Sequence, residues 1–390
     1  MKIKHIEAIP LVRELEQAFV GGTYRITSRY TIVTRVELDN GVVGETFGGD
    51  ETMYQMDICR IINEIYNPLL AGGDVTDVER HFDVMWNKKL DLDQRSIHTL
   101  DLAKHCARMQ AIGAVDIAIW DALGKTLNLP VYKLLGGFRD KVPIIAIGGY
   151  VMKGKTIADL ETEVAHYLEL GMSGMKLKVG HLSVEEDIER VRRARKIAGP
   201  KFHLCVDANQ AWTVEQAMQF ARSVGDLNLA WLEEPVQWFD QIEGNARLRT
   251  IGIPVCLGQG EISRHGCRDL IVRGAADILN YDVTIGPGVT EWRRTAAMAH
   301  CFGVRMAHHE EPQVALHLLA GAPNGYCVEI FPNYNRDPMW FDLPVVSPKI
   351  ADGYMHLPSK PGFGIDLNQE VIDKWRAPVG QGAVGSRLYV

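Results

Sequence analysis

FHLCVDANQ at 202–210, AWLEEPVQW at 230–238 and IPVCLGQGE at 253–261 decide how this chain folds. Each is a short β-branched and apolar run that ends in a carboxylate where a strand should meet a loop, and each is followed by a helical pattern. The acids Asp207, Glu233 and Glu261 are spaced by 26 and 28 residues (233 − 207 and 261 − 233), against roughly 30 for a strand plus its crossover helix. They therefore sit at three equivalent strand ends and converge on one mouth if the sheet closes. Three carboxylates brought together repel unless a cation lies between them. The ligand set is all oxygen, with no His or Cys at the same strand ends, so Mg²⁺ or Mn²⁺, one per chain, is favoured over zinc. A single strand-end acid would ordinarily cap the next helix or pair with a lysine. Three at one repeat phase point instead to a metal site.

Outward from this core the same alternation continues. Strands are expected near 142–150, 173–179, 202–207, 229–234, 253–261, 277–282, 304–309 and 326–331, with helices at 156–170, 183–198, 213–224, 238–250, 263–273, 289–302 and 311–321. Eight strands in this order predict an α/β fold, a parallel (β/α) barrel with its active site at the carboxyl ends of the strands. No G-x-G-x-x-G or G-x-x-x-x-G-K-[ST] motif supports the competing doubly wound nucleotide fold. Before the barrel, IKHIEAIPLV (3–12), YTIVTRVEL (30–38) and VVGETF (42–47) read as a small antiparallel sheet, and Asn40-Gly41 signals a type I′ hairpin. FVGGTYRITSR (19–29) and GGDETM (48–53) read as loops. Residues 52–128 turn helical, and AIGAVDIAIWDALG (111–124) is apolar on more than one face, as a helix buried between layers should be. The expected organisation is an α+β capping domain over 1–135, the barrel over 136–335, and a segment over 336–390 that packs back on the cap.

Composition narrows the function. The chain has 390 residues and a net charge of −7, with no basic run to offset it, which argues against a nucleic-acid surface. Its seven cysteines are scattered, with no C-x-x-C pair, as in a reducing compartment. The first 13 residues carry charge throughout and no later run approaches the 18 apolar residues of a membrane span, so a cytoplasmic protein without a membrane partner is expected.

In GMKLKVG (174–180) the period of two puts Lys176 and Lys178 on one face, the lumen of a closed barrel. Buried ammonium groups are costly, and mutual repulsion beside a metal should lower a lysine's pKa and free an amine to act as base. ILNYD ends at Asp282 and RMAHH at His308 and His309. A carboxylate and an imidazole on adjacent strands can form an acid/base dyad, and alternation lets one of the two histidines face inward without saying which. HHEEP lacks the H-E-x-x-H spacing of a zinc site. Glu329, in YCVEIF, falls near the same mouth, and GPG at 286–288 reads as a tight loop more readily than as a phosphate cradle.

AIGAVDIAIWDALGK, KLLGG, the Lys176/Lys178 pair, VDAN, WLEEP, Gly260-Glu261, Asp282, the double His and Glu329 together resemble the enolase superfamily, mandelate racemase subgroup, over nearly the whole chain. The resemblance implies Mg²⁺ held by Asp207, Glu233 and Glu261, and abstraction of the proton α to a carboxylate. It assigns Lys178 as base with Lys176 beside it, and His309 as the dyad histidine. Glu329 matches the acid that hydrogen-bonds the substrate carboxylate, and Asn209 the polar partner in D-x-N. The loops around Tyr24 and Arg25 and around 50–54 correspond to specificity loops, and Tyr24, Arg25, Asn209 and His308 are the expected substrate contacts. A homo-oligomer acting on a small carboxylic acid is implied as well.

Lys178 and His309 come from strands across the barrel and should approach opposite faces of one carbon. Loss of a β-hydroxyl then gives a 2-keto-3-deoxy acid, so the leading expectation is a dehydratase of an aldonic or aldaric sugar acid. Racemisation or epimerisation of a 2-hydroxy or amino acid is the alternative chemistry. A noncatalytic barrel that binds an anionic metabolite is the alternative from another class, with no evident use for bases on both faces.

Overall fold

Runs rich in β-branched and apolar residues make the amino-terminal segment a three-stranded antiparallel sheet. In the computed structural model, which describes residues 1–49, 54–88 and 102–377, β1 (Ile3–Val20), β2 (Arg25–Leu38) and β3 (Val43–Gly48) pair in that order. The hairpin at Asn40-Gly41 forms, but Gly41 alone has positive φ. Asn40 instead accepts a hydrogen bond from the Val42 amide at 3.2 Å, so the turn is not type I′. The expected long loop over 19–29 is also mostly strand, because the β1–β2 ribbon runs on past a register shift between Glu14 and Phe19 to leave only 21–24 outside it. The reason is support from the barrel: Val20 and Val151 exchange backbone hydrogen bonds at 3.2 and 3.1 Å, and Thr23 Oγ1 donates to the Asn209 carbonyl at 2.9 Å. The other expected specificity loop, at 50–53, lies outside the described residues.

All eight expected barrel strands are present, each shorter than its hydrophobic run. They are β4 (Lys141–Gly148), β5 (Gly174–Lys178), β6 (His203–Asp207), β7 (Leu232–Glu233), β8 (Val255–Leu257), β9 (Ile278–Leu279), β10 (Arg305–Met306) and β11 (Val328–Ile330). Parallel pairing runs from β4 to β10 and from β11 back to β4. The ring closes where Met306 N donates to Asn324 O and Tyr326 N to Met306 O, both at 2.8 Å. Seven helices follow the strands at the expected positions. Three of them open on reciprocal caps written in the sequence, Thr156 with Asp159, Ser183 with Glu186 and Thr213 with Gln216. Beneath the carboxyl-end mouth, Ile145, Cys205, Trp231, Cys256, Ile278, Ala307 and Cys327 fill the lumen as a dry plug.

The helix Leu102–Leu127 packs between the cap sheet and the barrel. Its two acids are ties between these layers. Asp116 accepts from the Thr290 amide and hydroxyl at 2.9 and 2.7 Å, and Asp121 from the amides of Glu45 and Phe363 at 2.9 and 2.7 Å. The GPG loop presses the carbonyl of Gly286 against Gly113 of this helix, where any Cβ would collide with backbone, so the loop serves packing. Farther along, a hairpin of β12 (Ile350–Ala351) and β13 (Tyr354–His356) extends the sheet by pairing antiparallel with β4. Ala377 N then donates to Pro10 O at 2.8 Å, bringing the chain back to β1. Five of the cysteines are buried, Cys106 is half-buried and Cys301 exposed, all as free thiols. Among the described residues no helix is long and apolar enough to cross a membrane.

Gly113 meets rigid backbone rather than a yielding side chain, so Gly113→Val should lower stability by about 1–3 kcal/mol through overpacking. A shift of the urea midpoint to lower denaturant checks this, and an unchanged midpoint would show that the helix and the GPG loop can separate at little cost.

Candidate active site

Strand register brings the lysines and the first two acids together. Lys178 lies beside Asp207, and Asp207 beside Glu233, in adjacent parallel strands. Lys178 Nζ is 2.6 Å from Asp207 Oδ2. Lys176 Nζ lies 2.7 Å from Glu233 Oε1, 2.8 Å from Glu329 Oε2 and 4.0 Å from Asp207 Oδ2. Glu233 also accepts from Trp231 Nε1 at 2.8 Å and Asn280 Nδ2 at 3.0 Å. Every member of this layer is buried. Burial opposes the Lys178 charge, but Asp207, Tyr24 and Tyr150 outweigh it and hold the ammonium well above its ordinary range. Burial likewise opposes the Asp207 charge, and Lys178 and Lys176 still keep that carboxyl low.

Glu261 stands apart from the other two acids, contrary to the expectation of equivalent strand ends. The residue in register with Glu233 is Cys256. Strand β8 ends at Leu257, and the chain turns at Gly258, with φ +106°, three residues before Glu261. The Glu261 carboxylate lies over Gly266, where only a missing side chain leaves room for it. Among the described residues no three His, Cys, Asp or Glu side chains gather closely enough to cage a metal ion. The donors nevertheless fit a hard cation in kind. Asp207 and Glu233 offer carboxylate oxygens in one row, and beside them the buried amide oxygens of Asn209 and Asn280 have no hydrogen-bond partner among the described residues. Glu261, raised by burial and by Asp269, adds a third carboxylate one loop away.

Across the mouth, the two histidines separate into different roles. His308 is fully buried: its Nε2 accepts from the Val283 amide at 3.1 Å while Nδ1 faces the His309 carbonyl at 2.9 Å. Burial keeps it neutral. This corrects the expectation that His308 contacts substrate, because its ring is consumed in holding the loop after β9. His309 Nδ1 sits 3.1 Å from Asp282 Oδ2, and its Nε2 lies 3.5 Å from Glu310 Oε1. Burial would discharge this ring, but Glu310 and the Asp282 hydrogen bond raise it to about 10. Asp282 is steadied in turn by the amide and hydroxyl of Thr284, both at 2.7 Å. The two sides are linked through Glu329, whose Oε2 takes both Lys176 and, at 3.2 Å, the Glu310 amide, while its Oε1 is buried without a partner among the described residues.

Of the remaining expected contacts, Tyr24 reaches the site, its ring centre 5.5 Å from Lys178 Nζ. Asn209 is there too, its Nδ2 donating to Asp207 Oδ2 at 3.1 Å. Arg25 is not: it is exposed at the first position of β2, opposite Val20, because the strand's alternation turns it outward. Several groups were missed. Tyr150 follows the end of β4, its ring centre 5.9 Å from Lys178 Nζ. Asn280 precedes Asp282 by two and shares its face, a periodicity that could have exposed it. Glu310 and Glu311 adopt left-handed backbone (φ +51° and +47°), as do Asn209 and Glu234 around the same mouth, which no sequence pattern announces. Glu311 Oε1 accepts from the Gly49 amide at 2.9 Å, tying the cap to the mouth.

Comparisons with known proteins agree with this architecture. Residues 18–136 match the family described as "Mandelate racemase / muconate lactonizing enzyme, N-terminal domain", and residues 159–371 match "Enolase C-terminal domain-like". The chain is 30% identical to arabinonate dehydratase of Saccharolobus solfataricus, over 88% of this chain and 90% of that one. It is also 30% identical to L-talarate/galactarate dehydratase of Salmonella typhimurium, over 93% of this chain and 87% of that one. The crystal structure of a mandelate racemase/muconate lactonizing enzyme from a marine actinobacterium in complex with magnesium superposes with a TM-score of 0.86 at 41% identity, covering 96% of this chain and 99% of that one.

His309 ties charge to stability in one direction. Its folded pKa, about 10, exceeds the unfolded value of about 6.5, so the stabilisation is complete below pH ~6.5 and is lost as pH rises through about 10. In Asp282→Asn the His309 midpoint read by ¹⁵N NMR should fall by roughly 1–3 units. The stability gap between wild type and variant should be widest at low pH and should close toward pH ~10. A wild-type midpoint at the ordinary histidine value would overturn this description of the pair.

Proposed function

This chain belongs to the mandelate racemase / muconate lactonizing enzyme family of the enolase superfamily, and from that premise we propose that it is a magnesium-dependent dehydratase of an aldonic or aldaric sugar acid. The observation that carries the reading is the pairing of a buried lysine on one side of the acid layer with an aspartate-backed imidazolium on the other. Dehydration α,β to a carboxylate needs both, a base for the C2 proton and an acid for the departing hydroxyl.

Lys178 is the base and takes the C2 proton. Lys176, fixed between Glu233 and Glu329, is a permanent positive charge against the negative charge that then spreads onto the substrate carboxylate. Glu329 keeps one oxygen without a partner among the described residues, and a proton on that oxygen is what would let it donate to that end of the substrate. His309, charged and oriented by Asp282, gives its Nε2 proton to the β-hydroxyl as the C3–O bond breaks, and water leaves. The resulting enol loses its O–H proton and gains one at C3 to give the 2-keto-3-deoxy acid, Lys178 releases the C2 proton to solvent, and solvent returns a proton to His309. When bound, Mg²⁺ held by Asp207, Glu233 and Glu261 would draw off the carboxylate charge that keeps Lys178 protonated and would offset the dianionic enediolate.

Incubation with Mg²⁺ and a panel of sugar acids should yield α-keto acid, and a chelator should abolish it. Lys178→Met should lose C2 deuterium exchange and product together. His309→Asn should lose product by about 10²–10⁴-fold while C2 exchange survives, since proton removal does not require the imidazolium. Exchange at C2 in the wild type without any ketone would replace dehydration by racemisation, and intact C2 protons with every acid that binds would leave only a binding protein.

A further inference from the structure

Arg336 takes no part in the steps above, yet its side chain is 2% exposed and its Nη1 and Nη2 have no hydrogen-bond partner among the described residues. Its orientation is fixed. Nε donates to Tyr150 Oη at 3.3 Å, and the guanidinium carbon lies 4.1 Å from the ring centre of Phe331 and 5.4 Å from that of Tyr150. Two relays locate the group. The Tyr150 ring is 5.9 Å from Lys178 Nζ, and Arg336 Nη2 is 3.9 Å from Glu310 Oε1, itself 3.5 Å from His309 Nε2. The guanidinium therefore stands between the two reacting sides of the site. Glu310 does not satisfy it, being beyond hydrogen-bond distance and shared with Arg29 Nη1 at 3.8 Å. Arg29 contrasts with it, since Asp337 engages Arg29 Nε and Nη2 at 3.2 and 3.3 Å.

A buried guanidinium held flat on aromatic rings with bare N–H groups is a receptor for a carboxylate, which matches it in charge and in the spacing of two parallel hydrogen bonds. Arg336 and Tyr150 also border a cavity of about 620 Å³ whose wall includes Lys155, Asp159 and Glu163 from the loop and helix after β4 and none of Lys176, Lys178 or His309. We propose that Arg336 binds a carboxylate at the far end of the substrate, so that the acid turned over is a dicarboxylic (aldaric) sugar acid rather than an aldonic one. This rests on the sugar-acid reading above, in which the reacting carboxylate lies at Lys176 and Glu329, and adds the identity of the opposite end group.

The test is calorimetric binding to the full-length, Mg²⁺-loaded protein, run beside turnover, with mono- and diacids matched at every carbinol centre: galactonate with galactarate and gluconate with glucarate. The wild type should bind the diacid of a pair about 10- to 100-fold more tightly. Arg336→Gln should erase that ratio, and Arg336→Lys, which keeps the charge and guards against a folding defect in the first variant, should keep part of it. Turnover of none of the four acids, with the binding ratio intact and lost in the variant, would defeat the sugar-acid dehydratase reading while leaving Arg336 as the distal site. No diacid preference in the wild type, absence of binding included, or an equal loss for both acids in the variants, would overturn the inference. So would tighter binding of 6-phosphogluconate than of either diacid, since the anion would then be phosphate.

Discussion

Lys176 is an ammonium with no exposed surface, and the arrangement of the mouth follows from the need to pair it. Its partners come from strands two away on either side: Glu233 on β7, reached past β6, and Glu329 on β11, reached past β4. One cation thus bridges the lumen in both directions across five neighbouring strands, β11, β4, β5, β6 and β7, which only a strongly curved sheet brings within its reach. Breaking such a buried pair by removing one partner costs about 3–5 kcal/mol, so the charges that serve the site also penalise an opened barrel. The apolar plug beneath, with Trp231 donating upward to Glu233, keeps water from the layer and makes each of these contacts stronger than it would be in solvent.

The same low dielectric leaves both sides of the site protonated. Asp207 holds the Lys178 ammonium up, and Asp282 with Glu310 holds His309 up to about 10. On the histidine side that is the state a proton donor needs. On the lysine side it is the opposite of what a base needs, and the difference lies in what competes for the carboxylate. Asp282 is committed to His309 and Thr284. Asp207 stands in the row of oxygen donors, where a divalent cation would compete with the lysine for its charge.

Much of this was legible because period-two alternation and a repeat of roughly 30 residues survive tertiary packing. The eight strands, the seven helices between them, Lys176 with Lys178 and Asp282 with a histidine all follow from those two periods. What failed did so where backbone leaves the period. Glu261 follows a glycine turn, so counting from repeat to repeat put it in a row that Cys256 occupies. Alternation across RMAHH let one histidine face inward, yet both are buried or nearly so, and hydrogen bonding to Val283 rather than facing separates them. Arg336 was invisible because it sits in FPNYNR, a loop with no period at all, and its meaning comes only from the rings and acids that the fold brings beside it.

The cap explains why specificity would concentrate at such irregular places. The barrel supplies Lys176, Lys178, Asp207, Glu233, Asp282, His309 and Glu329, all tied to strand ends and to each other, so none can shift without disturbing a buried charge. The cap reaches the mouth through few contacts: Thr23 on the Asn209 carbonyl, Gly22 against Ala208, Tyr24 above Lys178, Gly49 on Glu311 and Arg29 on Asp337. These involve loop backbone or long side chains, which tolerate replacement. Arg336 lies between the two regimes, in the stretch after β11 and next to Asp337, which pairs with Arg29 of the cap. A side chain there can be exchanged without breaking the lysine–carboxylate layer, which is the position expected of a group that selects the far end of a substrate while the near end is handled by fixed chemistry.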